Sequence, residues 1–386
     1  MATNKVANFV NTSSAAEFLG ISVSTLYRMV EKGILNPIKT PGGQRRFDIT
    51  ELEQYLNMSK TIIAPQNPRM GKEQSLKNNE SNINSLIDSK ENETKNEEKE
   101  YSQVDPRNKL NDLTGKEWLP ETKSFFFQKG LGAKHPHAQI ERQHPAPFSF
   151  QDIGRLILFF TKRGQKVLDP FGGVGSTAKA CALNGRICTQ IELSPKWHEL
   201  AIKRLETEVA EGESSNHKFI NGDCRKVLKT FESNFFDFIV TSPPYWAILN
   251  KRADHKVIKE RVNNNLATNY SDSDDDLGNI EDYEKFINVL VNDVFLECGR
   301  VIKEGKYMCI IVSDFRNKSE FISFHSDLIQ KLNKAAIDDK HFWGLQGTKI
   351  LIQNHKSLLP YGYPFAYVEN IHHQYILIFR KEKRKK

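Results

Sequence analysis

From Trp118 onward, short apolar runs alternate with amphipathic stretches, and this alternation limits the folds open to the chain. A strand-length run followed by a helical stretch is typical of βαβ units, in which helices cover a parallel sheet. Strands are predicted at 166–168, 187–191, 218–220, 236–240, 307–312 and 374–380, and helices at 177–183, 195–208 and 280–303. The pattern predicts an α/β fold whose ligands bind at the carboxyl ends of the strands.

A glycine-rich loop, DPFGGVGST, follows the first predicted strand at 169–177. Glycines let the backbone turn tightly and approach a ligand without a Cβ clash. The loop alone is also compatible with an NAD site or a structural turn, but no Walker lysine follows it, which argues against ATP or GTP. Its candidate ligand-binding residues are Asp169, Phe171, Gly172, Gly173 and Gly175.

Two further acids follow the next two predicted strands. Glu192 closes the second strand, 23 residues after Asp169, where a carboxylate can accept both hydroxyls of a ribose. Asp223 follows the third strand and is placed to meet an adenine amino group. An acid at the end of each of three strands suits an adenosine without phosphates, which favours S-adenosylmethionine as the cofactor.

The segment TSPPYW, residues 241–246, directly follows the buried strand at 236–240. The amino nitrogen of a base is a poor nucleophile, because its lone pair is delocalised into the ring. Ser242 and the carbonyl of Pro243 are predicted to accept its hydrogens, while Pro243 and Pro244 stiffen the loop and Tyr245 offers a face for a flipped base. Alone, the segment could be a strand-terminating turn with a buried tyrosine.

These motifs resemble those of the amino-group DNA methyltransferases, which methylate cytosine N4 or adenine N6. DPFGGVGST is similar to the family's cofactor motif and TSPPYW to its catalytic motif. Residues 144–157 resemble the helix that covers the methionine end, and residues 373–381 resemble the closing strand. The resemblance spans about Phe125 to Lys381. It implies a Rossmann-like S-adenosylmethionine-dependent methyltransferase sheet acting on double-stranded DNA by base flipping.

The resemblance also bears on the target base. In the family, a serine at the position of Ser242 accompanies cytosine N4, whereas aspartate or asparagine accompanies adenine N6. Relatives that methylate protein glutamine usually carry asparagine there, which argues against a protein substrate. The chain is therefore expected to be a site-specific cytosine-N4 DNA methyltransferase, with a cognate restriction endonuclease as a candidate partner. The alternatives are adenine-N6 methylation and a DNA-binding regulator with an inactive methylase domain.

The N-terminal residues 8–58 form a separate predicted domain. Helices at 13–19 and 23–32 around a turn predict a helix-turn-helix with a core of Ala15, Leu19, Leu26 and Val30, and 38–47 predicts a hairpin wing. The pattern resembles MerR-like winged helix-turn-helix domains. Phosphate contact is expected from Arg28, Lys39, Arg45 and Arg46. A protein–protein module with a solvated basic face is the alternative.

The residue composition predicts the remaining domain boundaries. Residues 59–115 are rich in Asn, Lys, Glu and Ser and are predicted to be a flexible linker before a methyltransferase domain at 116–386. The net charge of +7, the absence of an apolar leader and the five scattered cysteines indicate a soluble, cytoplasmic protein without a metal site. Target recognition is assigned to 247–279 or to 341–370, with Trp343, Tyr361, Tyr363 and Tyr367. The acidic cluster 271–276 is expected to be a mobile loop.

Overall fold

The computed structural model describes residues 9–19, 26, 29–30, 35–39, 45–49, 51–52, 103–128, 135–146, 148–248, 273–354, 356 and 358–384. The chain divides into two compact units, Met1–Asn82 and Ile83–Lys386. Residues 59–102 of the predicted linker lie outside the described residues. Within the described ranges, no helix is both long and apolar enough to cross a membrane.

Among its described residues, the first unit contains a complete helix, further helical residues at 26, 29–30, 49 and 51–52, and a small antiparallel sheet. The elements are β1 (Phe9–Asn11), α1 (Thr12–Leu19), β2 (Ile38–Lys39) and β3 (Arg45–Asp48), and the sheet order is β1-β3-β2. The predicted wing is therefore a hairpin, β2 against β3. The predicted core is also present: Ala15, Leu19 and Leu26 are buried around Phe47, with Val30 packed against them.

The described residues of the second unit form an eight-stranded mixed sheet in the order β4-β12-β13-β9-β8-β5-β6-β7. Strands β9, β8, β5, β6 and β7 run parallel, and β13 is antiparallel to β9. A separate hairpin joins β10 to β11. The strands are β4 (Phe125–Phe127), β5 (Lys166–Asp169), β6 (Ile187–Glu192), β7 (Lys218–Asn221), β8 (Phe236–Thr241), β9 (Ile302–Val312), β10 (Phe315–Asn317), β11 (Glu320–Ile322), β12 (His341–Ile352) and β13 (His373–Lys383).

Helices pack on both faces of this sheet. Pro195 occupies the first turn of the helix at 195–208, where its missing N–H costs nothing, and Gly185 ends the helix at 176–184 with a positive φ. The helices are α2 (Gly115–Glu121), α3 (Phe150–Phe160), α4 (Ser176–Asn184), α5 (Pro195–Glu208), α6 (Cys224–Val227), α7 (Tyr283–Val289), α8 (Leu296–Val301) and α9 (Phe324–Leu332). The predicted strands and the helices at 177–183 and 195–208 are thus confirmed.

The continuous helix predicted at 280–303 was wrong in detail. A π-helical segment, Leu290–Phe295, separates α7 from α8 and keeps Leu290, Val291, Val294 and Phe295 buried together. The helix ends at Val301 because Ile302 already pairs with Phe236 as the first residue of β9.

Two large apolar clusters form most of the core in the described part of this unit, one on each face of the sheet. Alternate residues of β9 divide between them: Met308 and Ile310 join one cluster, Cys309 and Ile311 the other. Burial of both faces is why the central strands read as continuous apolar runs. This buried sheet holds the strand ends, and the loops that follow them, in fixed positions.

The second unit begins earlier than the boundary of 116 expected from composition. Asn111 is fully buried and donates to the Phe159 carbonyl at 2.6 Å. The amide of Arg163 donates to Asp112 at 2.7 Å, and Lys162 donates to the Asn108 carbonyl at 2.6 Å. Residues 108–112 therefore belong to the packed unit, because they are hydrogen-bonded to the end of α3 and to the segment that joins α3 to β5.

Candidate functional site

The candidate site lies at the carboxyl edge of the sheet where β5 sits between β6 and β8. The chain passes from β5 to β6 on one side and returns to β8 on the other, so the loops leave in opposite directions and open a crevice. A cavity of about 610 Å³, partly open to solvent, fills this crevice. Its walls are His144, Pro170, Phe171, Gly173, Ile191, Glu192, Leu193, Trp197, Gly222, Asp223, Cys224, Ser242, Pro244, Asp275, Asp276 and Leu277.

Asp169 is fully buried below this cavity and is not part of its wall. Its carboxylate accepts hydrogen bonds from the Phe171 amide at 3.0 Å, from Thr177 Oγ1 at 2.5 Å and from Thr241 Oγ1 at 2.6 Å. Burial raises the pKa of Asp169 to about 6 despite these bonds. Asp169 thus ties the glycine loop to α4 and to the end of β8, and it is a positioning residue where the sequence predicted a direct ligand.

The glycines of the loop have different surroundings. Gly173 lines the cavity with φ of 48°. At Gly172, a Cβ would come within 2.9 Å of the Gln190 side chain. At Gly175, which precedes α4 with φ of 79°, it would come within 3.0 Å of Ala201. Phe171 and Gly173 therefore face the cavity, whereas Gly172 and Gly175 let the loop pack closely against its neighbours.

Glu192 lines the cavity with a half-buried carboxylate. Its Oε2 accepts from the Gly173 amide and its Oε1 from the Ser194 amide, both at 2.8 Å. Burial raises the pKa of Glu192 to about 7. Because each carboxylate oxygen can accept two hydrogen bonds, this group keeps acceptor capacity for hydroxyl donors in the cavity.

Asp223 lines the same cavity and caps α6. It accepts from the Arg225 amide at 2.9 Å and from Arg225 Nε at 3.0 Å. Arg225 also donates to the Asp275 carbonyl at 2.9 Å. This arginine therefore links the loop after β7 to the turn that forms the opposite wall.

The turn at 273–279 is a part of the site that the sequence reading missed. Asp275 pairs with Lys226 at 2.8 Å, and the buried Asp276 accepts from the Gly278 amide at 2.8 Å. Burial raises the pKa of Asp276. Where a mobile acidic loop was expected, residues 273–276 form a hydrogen-bonded turn, because Lys226 and Arg225 contact Asp275 and a backbone amide caps Asp276. Ser271 and Asp272 lie outside the described residues.

Ser242 lies where two cavities meet. With Pro244 it lines the large cavity, and with Pro243 it lines a second cavity of about 350 Å³. His144 also lines both, and Gly172 lines the second. The loop after β8 is thus brought together with the loop after β5, as the sequence predicted.

Tyr245 is tied into this loop and lines neither cavity. Its hydroxyl accepts from Gln374 Nε2 at 3.0 Å and is in hydrogen-bonding contact with Ser242. Its ring packs edge-on against Phe324, with 6.3 Å between centroids, and burial raises its pKa. These contacts orient Ser242, while the stacking of a base on Tyr245 stays a prediction.

A pair of aromatic rings and a buried arginine support the cavity wall. The His144 ring packs edge-on against Trp197, with 5.1 Å between centroids, and both line the cavity. Arg204 is fully buried in α5, donates to the Val174 carbonyl and Ser176 Oγ, and pairs with Glu141 at 2.6 Å. The sequence predicted the helix that carries Trp197 and Arg204, but not that this face supports the glycine loop.

The residues predicted to bind DNA lie in the first unit. Arg45 and Arg46 are half-buried in β3. In the register of the hairpin, Lys39 of β2 lies opposite Arg45. The Lys39 side chain and Arg28 lie outside the described residues. The hairpin therefore brings part of the predicted basic set together.

Comparison with known protein families gives two matches. The model of a family described as DNA methylase, covering N6 and N4 methyltransferases, matches residues 39–203 and 236–386. The model of a helix-turn-helix domain matches residues 9–59.

Among curated proteins, the Type II methyltransferase M.MjaI of Methanocaldococcus jannaschii is 30% identical over 186 residues, which cover 45% of this chain and 58% of that protein. The Type II methyltransferase M.Cfr9I of Citrobacter freundii is 40% identical over 65 residues, 17% of this chain and 22% of that protein. The chain thus spans less than two thirds of the length of these relatives. A Thermus thermophilus protein solved in complex with S-adenosyl-L-methionine aligns at 25% identity and a TM-score of 0.28, over 43% of this chain and 55% of that chain.

Proposed function

The chain belongs to the DNA methylase family, and from that premise we propose that it transfers a methyl group from S-adenosylmethionine to the exocyclic amino group of a base in duplex DNA. One observation carries the proposal: Ser242 lies at the junction between a cavity lined by carboxylates and a second, smaller cavity. The first would hold the adenosine of the cofactor. The second, which the glycine loop and His144 line, would take its methionine end, and the base would meet the methyl group at Ser242.

The large cavity fits the cofactor in its charges. Among the described residues, four acids line this cavity, and neither Lys nor Arg does. The acids are Glu192, Asp223, Asp275 and Asp276. Arg225 and Lys226 pair with Asp223 and Asp275 from outside this lining, so no Lys or Arg of the described ranges faces the cavity to bind a phosphate. A lining of acceptors without such a cation favours S-adenosylmethionine over NAD or ATP. Glu192 would accept the ribose hydroxyls and Asp223 would meet the adenine amino group. When bound, the cofactor supplies an electron-poor methyl group on a sulfonium.

The chain's own task is to make the amino nitrogen available. We infer that Ser242 Oγ and the Pro243 carbonyl accept hydrogen bonds from its two N–H groups and so turn the nitrogen lone pair out of the plane of the ring. The nitrogen loses one of these protons to solvent once it carries the methyl group. Pro243 and Pro244 restrict φ, and Thr241 is fixed on Asp169, so these acceptors are held in place before the base arrives. His144 and Trp197 would exclude water from the methionine end.

We assign the target as cytosine N4, because Ser242 resembles the first residue of the catalytic motif in cytosine-N4 enzymes. Adenine N6 is the alternative product of the same chemistry. Incubation of the purified chain with methyl-labelled cofactor and duplex DNA tests the activity. Label bound to the DNA supports it, and an unlabelled DNA across a diverse set of sequences contradicts it.

Cofactor affinity is expected to rise with pH through about 7. Burial raises the pKa of Glu192 to about 7, so the carboxyl is mostly protonated below that pH and loses acceptor capacity for the ribose hydroxyls. If only the ionised form binds, the Kd of S-adenosylhomocysteine is about tenfold higher at pH 6 than at pH 8. Calorimetry at several pH values in this range measures how the Kd changes with pH. Glu192→Gln is the control, in which most of this pH dependence should disappear. An equally steep slope in that variant would contradict the assignment.

We also propose that the N-terminal unit adds DNA affinity to the methyltransferase unit. Two findings support this role. Residues 9–59 match a helix-turn-helix domain, and the backbone pairing of the wing places Lys39 opposite Arg45. Deletion of residues 1–60 is expected to raise the KM for long DNA about tenfold or more, because tethering raises the local concentration of the substrate, and to leave kcat nearly unchanged. A steady-state titration measures both values. Loss of kcat with unchanged KM would show instead that the unit is part of the active assembly.

A further inference from the structure

The loop between β12 and β13 lies at the same edge of the sheet as the candidate site. Strand β13 enters the sheet beside the carboxyl end of β9, with Tyr375 opposite Val312. At this entry, Gln374 Nε2 donates to the Tyr245 hydroxyl and Ser313 Oγ donates to the His373 carbonyl. The loop therefore ends next to the segment that carries Ser242.

We call residues 358–370 the aromatic loop. Its backbone is held by its own hydrogen bonds: the Asn370 side chain accepts from the Leu359 amide at 3.0 Å and donates to the Leu359 carbonyl at 2.9 Å. The amides of Phe365 and Ala366 donate to the Gly362 carbonyl at 2.6 and 2.7 Å. Gly362 has φ of 72°, and a Cβ there would come within 2.2 Å of the Ala366 carbonyl oxygen. The loop thus has a defined conformation that requires glycine at this position.

The rings of this ordered loop are directed to solvent. The exposed fractions are 81% for Tyr363, 92% for Phe365 and 84% for Tyr367. Trp343 was predicted to take part in target recognition together with these tyrosines. It is instead a core residue, because it is fully buried and donates to the Phe295 carbonyl at 3.0 Å. A cluster of exposed rings on a structured loop marks an interaction surface.

We propose that the aromatic loop contacts the DNA duplex beside the target base and that its rings stack on bases there. This inference rests on the proposed function, since a flipped base leaves a gap in the stack that a flat ring can fill. Every base offers a π face to such a ring. Within 358–370, Glu369 is the sole charged residue, so the loop is suited to stacking and not to binding phosphates. Its continuity with the Tyr245 segment places the rings at the edge where the base must leave the duplex.

The triple variant Tyr363→Ala/Phe365→Ala/Tyr367→Ala of the full chain tests the proposal. Stacking on a base is worth about fivefold or more in affinity for each ring, so we expect the KM and Kd for duplex DNA to rise by about 100-fold or more. The Kd of S-adenosylmethionine should not change. The double variant Tyr363→Phe/Tyr367→Phe keeps the rings and is expected to bind DNA like the wild type. Leu183→Ala removes another exposed apolar side chain, at the carboxyl end of α4 and away from the candidate site, and serves as the control.

Wild-type DNA affinity in the triple variant would overturn the proposal. So would loss of self-association with unchanged DNA binding, because the rings would then form a protein–protein contact. A wild-type chain that binds DNA through these rings but transfers no methyl group would refute the proposed function and leave the role of the loop standing.

Discussion

Ser242→Ala is expected to lower kcat for DNA methylation by about 100- to 1000-fold, the usual loss when one fixed polar group that stabilises a transition state is removed. The hydroxyl is proposed to accept an amino hydrogen as the nitrogen lone pair leaves the ring, and alanine has no acceptor. The Kd for the cofactor should stay within about twofold, since the acids that line the large cavity are untouched. Single-turnover rates at saturating DNA and cofactor measure the effect on chemistry directly.

Ser215→Ala provides the control for this change. Ser215 is exposed and its hydroxyl donates to the Gly212 carbonyl, so its loss should leave kcat at the wild-type value. A Ser242→Ala enzyme with more than about half of the wild-type rate would show that another group activates the amine.

Glu192→Ala is expected to weaken cofactor binding by at least about 100-fold. Hydrogen bonds to a charged acceptor contribute about 1.5–3 kcal/mol each, and two ribose hydroxyls would lose theirs. The change also removes the acceptor of the Gly173 and Ser194 amides, which loosens the loop at the cavity wall. Calorimetric titration with S-adenosylmethionine measures the loss.

The control is Glu199→Ala, which removes an exposed carboxylate from α5 of the same unit. Its cofactor affinity should equal that of the wild type. Thermal unfolding of both variants separates a binding defect from misfolding. A folded Glu192→Ala protein with wild-type affinity would refute the placement of the ribose on Glu192.

Most of the fold could be predicted because its signals are local. Apolar runs marked the central strands, and Pro195 and Gly185 marked helix ends through their own backbone preferences. The interruption at Leu290–Phe295 could not be predicted, since a π segment depends on which side chains the neighbouring core accepts.

The site was predictable only in part. Glu192, Asp223 and Ser242 reach the cavity, as their positions after strands indicated. Asp169 has the same local pattern but bonds to Thr241, which is 72 residues away in the chain. Contacts at such separations, including that between Arg225 and Asp275, are set by packing and leave no periodic signal.

Methyl transfer to the amino group of cytosine leaves a nucleoside product that no other methylation of DNA gives. Duplex DNA incubated with the purified chain and deuterium-labelled S-adenosylmethionine is digested to nucleosides and analysed by mass spectrometry. We expect labelled N4-methylcytosine with the wild type and none with Ser242→Ala. Labelled N6-methyladenine alone would contradict the assigned base, and 5-methylcytosine would contradict the amino-group mechanism itself.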